Sequence, residues 1–93
     1  MRHLVVAYDV VDDLKRARLA KFLKGYLERV QKSVFEGDLD DRRVEAMRKG
    51  IEKIVDLEND TVRLYTICAR CRPATEIIGT GIFIEPSEDD IVL

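Results

Sequence analysis

Hydrophobic residues change their period along this chain, and the order of those changes constrains the fold more than anything else in it. His3 to Asp9 is a short aliphatic and β-branched run that reads as a buried central strand with a polar carboxyl end. Asp12 and Asp13 stand where a helix takes its N-cap and first-turn acids. From there to about Tyr26 the spacing becomes three and four, with Leu19, Phe22, Leu23, Tyr26 and Leu27 on one side. Arg29 to Glu36 alternates like a second strand, and Gly37 marks a turn or bulge. Asp40 then caps a second helix over about Asp41 to Leu57, with Leu39 and Val44 placed as a hydrophobic staple. Gly50 inside that helix costs about 1 kcal/mol against Ala, which implies a close packing contact. Thr61 to Cys68 alternates again, and Thr75 to Ile78 and Gly81 to Ile84 are short strand-like runs around Gly79.

This order predicts an α+β ferredoxin-like sandwich of the βαββαβ type with an extra C-terminal strand. Two helices cover one face of an antiparallel sheet, and the other face still needs cover. Ninety-three residues make one domain, residues 1–93, and so small a domain buries only about 60–65% of its unfolded surface. A homodimer is therefore expected, with residues 75–93 as a C-terminal strand and tail in the dimer or partner interface. The tail ends in Ile91-Val92-Leu93 after an acidic stretch, an apolar terminus suited to docking. The longest apolar runs, such as Leu4 to Ala7, fall far short of the roughly 20 residues of a membrane span. With no export signal ahead of the first strand, the expected compartment is the cytoplasm.

Charge is unevenly spread. The formal net charge is −2, yet Leu14 to Lys32 carries seven bases (Lys15, Arg16, Arg18, Lys21, Lys24, Arg29, Lys32) against one acid, Glu28. The acids collect around Asp38 to Asp41, Asp56 to Asp60 and Glu85 to Asp90. Such asymmetry suits a surface that meets a polyanion, although a solvated helix face gives the same pattern.

Several chemistries are disfavoured. Cys68-x-x-Cys71 is a lone pair, too little for a zinc site or a disulfide scaffold. One His gives little support to a Ser-His-Asp or Cys-His arrangement, and Gly79-Thr80-Gly81 is no phosphate loop. Carboxylate chemistry remains. An acid at the end of the first strand, Asp9, must cap, pair with a base such as Arg16, or bind a cation. Mg²⁺ usually takes one or two carboxylates plus waters and phosphates, so a two-fold axis bringing two Asp9 side chains together would make a Mg²⁺ or Mn²⁺ site.

Four segments stand out as a set: Val6-Ala7-Tyr8-Asp9-Val10-Val11-Asp12-Asp13, Arg16-Ala17-Arg18-Leu19-Ala20-Lys21-Phe22-Leu23, Arg29-Val30-Gln31-Lys32-Ser33-Val34-Phe35-Glu36-Gly37 and Asp60-Thr61-Val62-Arg63-Leu64-Tyr65. Together they resemble the CRISPR-associated endoribonuclease family, small adaptation proteins that partner the CRISPR integrase. The Gln31 to Glu36 segment is the most diagnostic. The resemblance implies a ferredoxin-like homodimer whose C-terminal strand pairs with the partner subunit. It puts the family's metal-binding aspartate on Asp9, with Mg²⁺ or Mn²⁺ shared between two subunits. It places residues implicated in nuclease activity on Tyr8, Arg16, Arg18 and Phe35, with Ser33 adjacent. It also implies a central dimer that bridges captured double-stranded DNA between integrase subunits, with Lys15, Arg16, Arg18 and Lys21 on phosphates. Single-stranded RNA is a second nucleic-acid partner, and no membrane is involved. Metal-dependent cleavage of RNA or DNA phosphodiesters and a DNA-bridging role are both open; a regulatory or small-ligand ferredoxin-like domain is the alternative.

Overall fold

The computed structural model describes residues 1–68 and 74–79. Six elements follow in the order β1 (Arg2–Asp9), α1 (Asp13–Leu23), β2 (Glu28–Gln31), β3 (Val34–Leu39), α2 (Asp41–Ile54) and β4 (Thr61–Ile67). The strands form one sheet in the order β2-β3-β1-β4, and every neighbouring pair is antiparallel. The βαββαβ sandwich expected from the periodicity is therefore present.

Both predicted helix starts are made by the predicted caps. Asp12 accepts from the Lys15 amide at 2.9 Å, and Asp40 accepts from the Arg43 amide at 2.8 Å, satisfying donors that a helix leaves open at its first turn. Leu39 and Val44 are buried on either side of the second cap, as a staple requires. Both helices stop about one turn before the apolar spacing does. After Leu23 the amides of Gly25 and Tyr26 turn to carbonyls three residues back, at 3.1 and 2.9 Å, which tightens the chain and ends α1 before Tyr26. Beyond Ile54 the Asp56 amide donates to the Asp60 carboxylate at 2.8 Å, so Leu57 leaves the helix and stands 72% exposed.

The largest departure lies between Arg29 and Glu36, which is a hairpin and not one strand. β2 and β3 meet through a turn at Lys32-Ser33, closed by the Arg29 guanidinium, whose Nε and Nη2 donate to the Lys32 carbonyl at 3.1 and 2.5 Å. A bulge between Arg29 and Gln31 sets Arg29 opposite Phe35 and Glu28 opposite Glu36. At the turn Gln31 stands opposite Val34, but beyond the bulge residues of like parity face each other, so Arg29 and Phe35 share a face across a turn that has no Gly or Asn to announce it. Gly37 is neither turn nor bulge but lies within β3, where an added Cβ would stand 3.1 Å from Leu27 Cδ2. Thr75 to Ile78, expected as strand, forms none, and Ile77 and Ile78 are 68% and 97% exposed. Gly81 to Ile84, Cys71 and the tail Ile91-Val92-Leu93 lie outside the described residues.

The core fills the space between sheet and helices. Leu4, Val6 and Tyr8 of β1 and Phe35 and Leu39 of β3 point into it, against Leu19 and Leu23 of α1 and Val44, Met47 and Ile51 of α2. The opposite face carries His3, Val5, Ala7 and Asp9 of β1, flanked by their register partners Val34, Glu36 and Asp38 on β3 and Thr61, Arg63, Tyr65 and Ile67 on β4. His3 Nδ1 lies 2.9 Å from the Asp38 carboxylate on that face. No helix among the described residues is long and apolar enough to cross a membrane.

Candidate functional site

Asp9 closes the central strand opposite Thr61, and strand alternation turns it away from the core onto the open sheet face, where it is exposed. Four other aspartates gather at the same end of the molecule, and each has a partner. Asp12 caps α1, Asp13 pairs with Arg16, and Asp60 accepts the amides of Val11 at 3.0 Å and Asp56 at 2.8 Å. Asp56 accepts from the Asn59 side chain and the Glu58 amide, and those bonds hold its carboxyl below the ordinary value of 3.8. Asp9 alone of this group takes no hydrogen bond and no ion pair among the described residues.

Arg16 does fold back toward the end of β1, but not onto Asp9. Its Nη1 donates to the Val10 carbonyl at 2.9 Å and its Nη2 pairs with Asp13. The nearer acid and the strand's own carbonyl end satisfy the guanidinium, so the expected Arg16–Asp9 pair is absent among the described residues. The guanidinium remains one residue beyond Asp9 along the chain, anchored from two directions.

Tyr8 and Phe35 come together on the other side of the sheet. Both are buried, at 6% and 0% exposure, with ring centroids 6.2 Å apart and planes inclined by 26°. Adjacent strand residues face opposite ways, so the Tyr8 ring and the Asp9 carboxylate are separated by the sheet itself. The Tyr8 amide donates to the Ser33 carbonyl at 3.1 Å, and its hydroxyl lies 3.5 Å from the Lys32 carbonyl. Ser33 and Tyr8 therefore meet at the tip of the β2–β3 hairpin. Arg29 completes this group, with its guanidinium 5.7 Å from the Phe35 ring centroid and bonded to the same Lys32 carbonyl. The sequence marks Arg29 as one base among seven and as the start of the Arg29 to Gly37 segment, with no site role. Its odd parity with Phe35 was the available signal, and it becomes meaningful only once the hairpin is known.

The basic candidates of α1 divide. Lys15 is half-buried and feels the Asp56 carboxylate, while Arg16 is engaged by Asp13. Arg18 and Lys21 are exposed. No group of three or more His, Cys, Asp or Glu side chains among the described residues could hold a metal ion. At the carboxyl end of β1 each chain thus offers the Asp9 carboxylate, half of what a shared two-carboxylate site requires. That donor suits a hard cation, because a lone oxygen ligand leaves the remaining positions to water and phosphate.

Residues 1–74 match the family described as CRISPR associated protein Cas2. The chain is 39% identical over 90 residues to the CRISPR-associated endoribonuclease Cas2 1 of Chloroflexus aurantiacus, a match spanning 96% of this chain and 97% of that protein. It is 40% identical over 91 residues to the CRISPR-associated endonuclease Cas2 2 of Thermus thermophilus, spanning 98% and 97% of the two chains. Its fold superposes with a TM-score of 0.75 on a chain from a partial Cas6-RT-Cas1–Cas2 complex, at 31% identity and full coverage of both.

Proposed function

Since the chain belongs to the CRISPR-associated Cas2 family, we propose that it acts as the dimeric, duplex-bridging subunit of a spacer-integrating complex and hydrolyses phosphodiester bonds of RNA or duplex DNA with a divalent cation. The observation that carries this reading is Asp9, an exposed strand-end carboxylate without a hydrogen bond or ion pair among the described residues, while Asp12, Asp13, Asp56 and Asp60 around it are each engaged. The relatives' names supply the reaction class, and the complex that holds the structural neighbour supports a Cas1-type integrase as partner. A regulatory or small-ligand role has no comparable support.

Asp9 of one subunit and Asp9 of its partner would hold Mg²⁺ or Mn²⁺ across a two-fold axis. So held, the cation would supply charge neutralisation at phosphate oxygens and a water of lowered pKa. Arg16, anchored on Val10 and Asp13, supplies fixed positive charge beside the strand end, where a scissile phosphate gathers negative charge in the transition state. Tyr8, Phe35 and Ser33 act from behind the sheet: they hold the hairpin and the carboxyl end of β1 together, which positions Asp9. Arg18, Lys21, Lys15 and Arg16 track phosphates without reading bases, so binding depends strongly on salt and weakly on sequence. The open sheet face, with Tyr65 48% exposed, supports the homodimer, and the exposed Ile77 and Ile78 support placing residues 75–93 in the dimer or integrase contact of the single domain 1–93. The proposed compartment is the cytoplasm.

The test incubates the purified full chain with single-stranded RNA and with duplex DNA, in Mg²⁺ or Mn²⁺ and in chelator, alongside Asp9→Ala. Metal-dependent cleavage that disappears in Asp9→Ala, with a dimer seen in light scattering, is the expected result. Equal cleavage by wild type and Asp9→Ala would refute the assignment of Asp9, and a monomer would refute the shared site.

A further inference from the structure

Among the described residues, three cations of α2, Arg42, Lys49 and Lys53, form no hydrogen bond or ion pair, and all three are exposed. The other bases of this helix are used within the fold: Arg43 donates to the Gly25 carbonyl at 2.9 Å and lies over the Tyr26 ring, and Arg48 stands 3.6 Å from Glu45. At 100° per residue, Arg42, Lys49 and Lys53 fall together on the side opposite the buried Val44, Met47 and Ile51. They make one outward row about 16 Å long. On α1 the same arithmetic turns Arg18 and Lys21 outward, away from Leu19 and Leu23.

Two contacts align the rows. Phe22 packs on Gly50, and Arg43 reaches Gly25 and Tyr26, so the helices run antiparallel with Lys21 level with Lys49 and Arg18 level with Lys53. Packed helices lie about 8–10 Å apart. The outer surface of the helical layer therefore carries two parallel rows of cations without partners among the described residues, on a chain whose net charge is −2.

We propose that Arg42, Lys49 and Lys53 form the second row of a duplex-binding surface and contact the phosphates of the same double-stranded nucleic acid that Arg18 and Lys21 meet. The proposal rests on the duplex-bridging reading above. Two rows select a duplex over a single strand: long side chains on helices whose axes lie about 8–10 Å apart can reach phosphates on both sides of a groove about 6 to 12 Å wide, whereas one strand offers one line of phosphates.

The experiment measures binding of the full chain to a duplex of arbitrary sequence at a series of salt concentrations, for wild type and for the triple variant Arg42→Gln, Lys49→Gln, Lys53→Gln. Each lost phosphate contact lowers the slope of log affinity against log salt by about 0.9, so the variant's slope should be shallower by about 2.7 per chain. Single-stranded RNA binding should change less, and the melting temperature should stay the same. A variant slope equal to wild type, with wild type binding duplex, overturns this inference and leaves the bridging reading intact. Wild type that does not bind duplex overturns both. A larger loss on single-stranded RNA than on duplex overturns the choice of ligand.

Discussion

Replacing Gly50 by Ala should destabilise this protein, although the same change in an exposed helix interior stabilises by about 1 kcal/mol. The reason is the Phe22 ring, which occupies the place a Cβ would take: Cε1 and Cε2 would stand 2.7 and 2.8 Å from it, and Cζ closer still. The ring is half-buried and has somewhere to go, so it should swing outward without unfolding the helix. Leaving breaks its packing on Tyr26, at a centroid distance of 5.2 Å, a contact worth about 0.5–1.5 kcal/mol. It also returns part of a Phe side chain to water, about half of the 1.5–3 kcal/mol of full burial. Against the propensity gain of about 1 kcal/mol, the net loss is about 1 kcal/mol, which lowers the melting temperature by about 4–8 °C in a domain of this size. Thermal denaturation followed by circular dichroism measures it, and a double-mutant cycle tests the cause. In a Phe22→Ala background, Gly50→Ala should become stabilising, because nothing then fills the space. Stabilisation by Gly50→Ala in the wild type, or equal effects in both backgrounds, would refute the packing argument.

Three other substitutions separate roles that look alike in the sequence. Phe35→Ala should cost about 3–5 kcal/mol, as expected for a fully buried ring, so any loss of cleavage it causes should appear together with a lower denaturant midpoint. Arg29→Gln removes both bonds to the Lys32 carbonyl, and hydrogen exchange of the hairpin amides should accelerate by roughly fivefold or more, from about 1 kcal/mol of local stability. The Asp56 carboxyl sits below 3.8 chiefly because Asn59 donates to it, so its contribution to stability is present above that pH and is lost as pH falls through the lower, folded value. In Asn59→Ala the Asp56 titration followed by NMR should move up toward 3.8, and an unchanged titration would contradict the assigned cause.

Much of the architecture was legible because it rests on local rules. Asp12 and Asp40 are caps wherever a helix begins after them, and the three-and-four spacing of Leu19 and Leu23 or of Val44, Met47 and Ile51 selects a buried stripe before any partner is known. The order of those segments, with the Gln31 to Glu36 motif, was enough to point to the fold and the family. Helix ends were less legible, since the apolar spacing runs on through Tyr26 and Leu57 while the hydrogen bonding stops at Leu23 and Ile54.

Long-range relations were decided only by the folded chain. The hairpin at Lys32-Ser33 escaped sequence reading because the bulge restores like parity beyond it, so Arg29 and Phe35 share a face as they would in one continuous strand. The helices cover the face that holds Tyr8 and Phe35, and that choice leaves Asp9 in the open on the other. Arg16 was legible as a base near the strand end, yet its partners, Val10 and Asp13, follow from where the first turn of α1 points. The two cationic rows of α1 and α2 are separated by more than twenty residues in sequence and became neighbours only when Phe22 met Gly50. Periodicity and capping act within a few residues and are written in the order of the chain; the surroundings of a charge depend on segments brought together across the sheet, and only tertiary packing sets those.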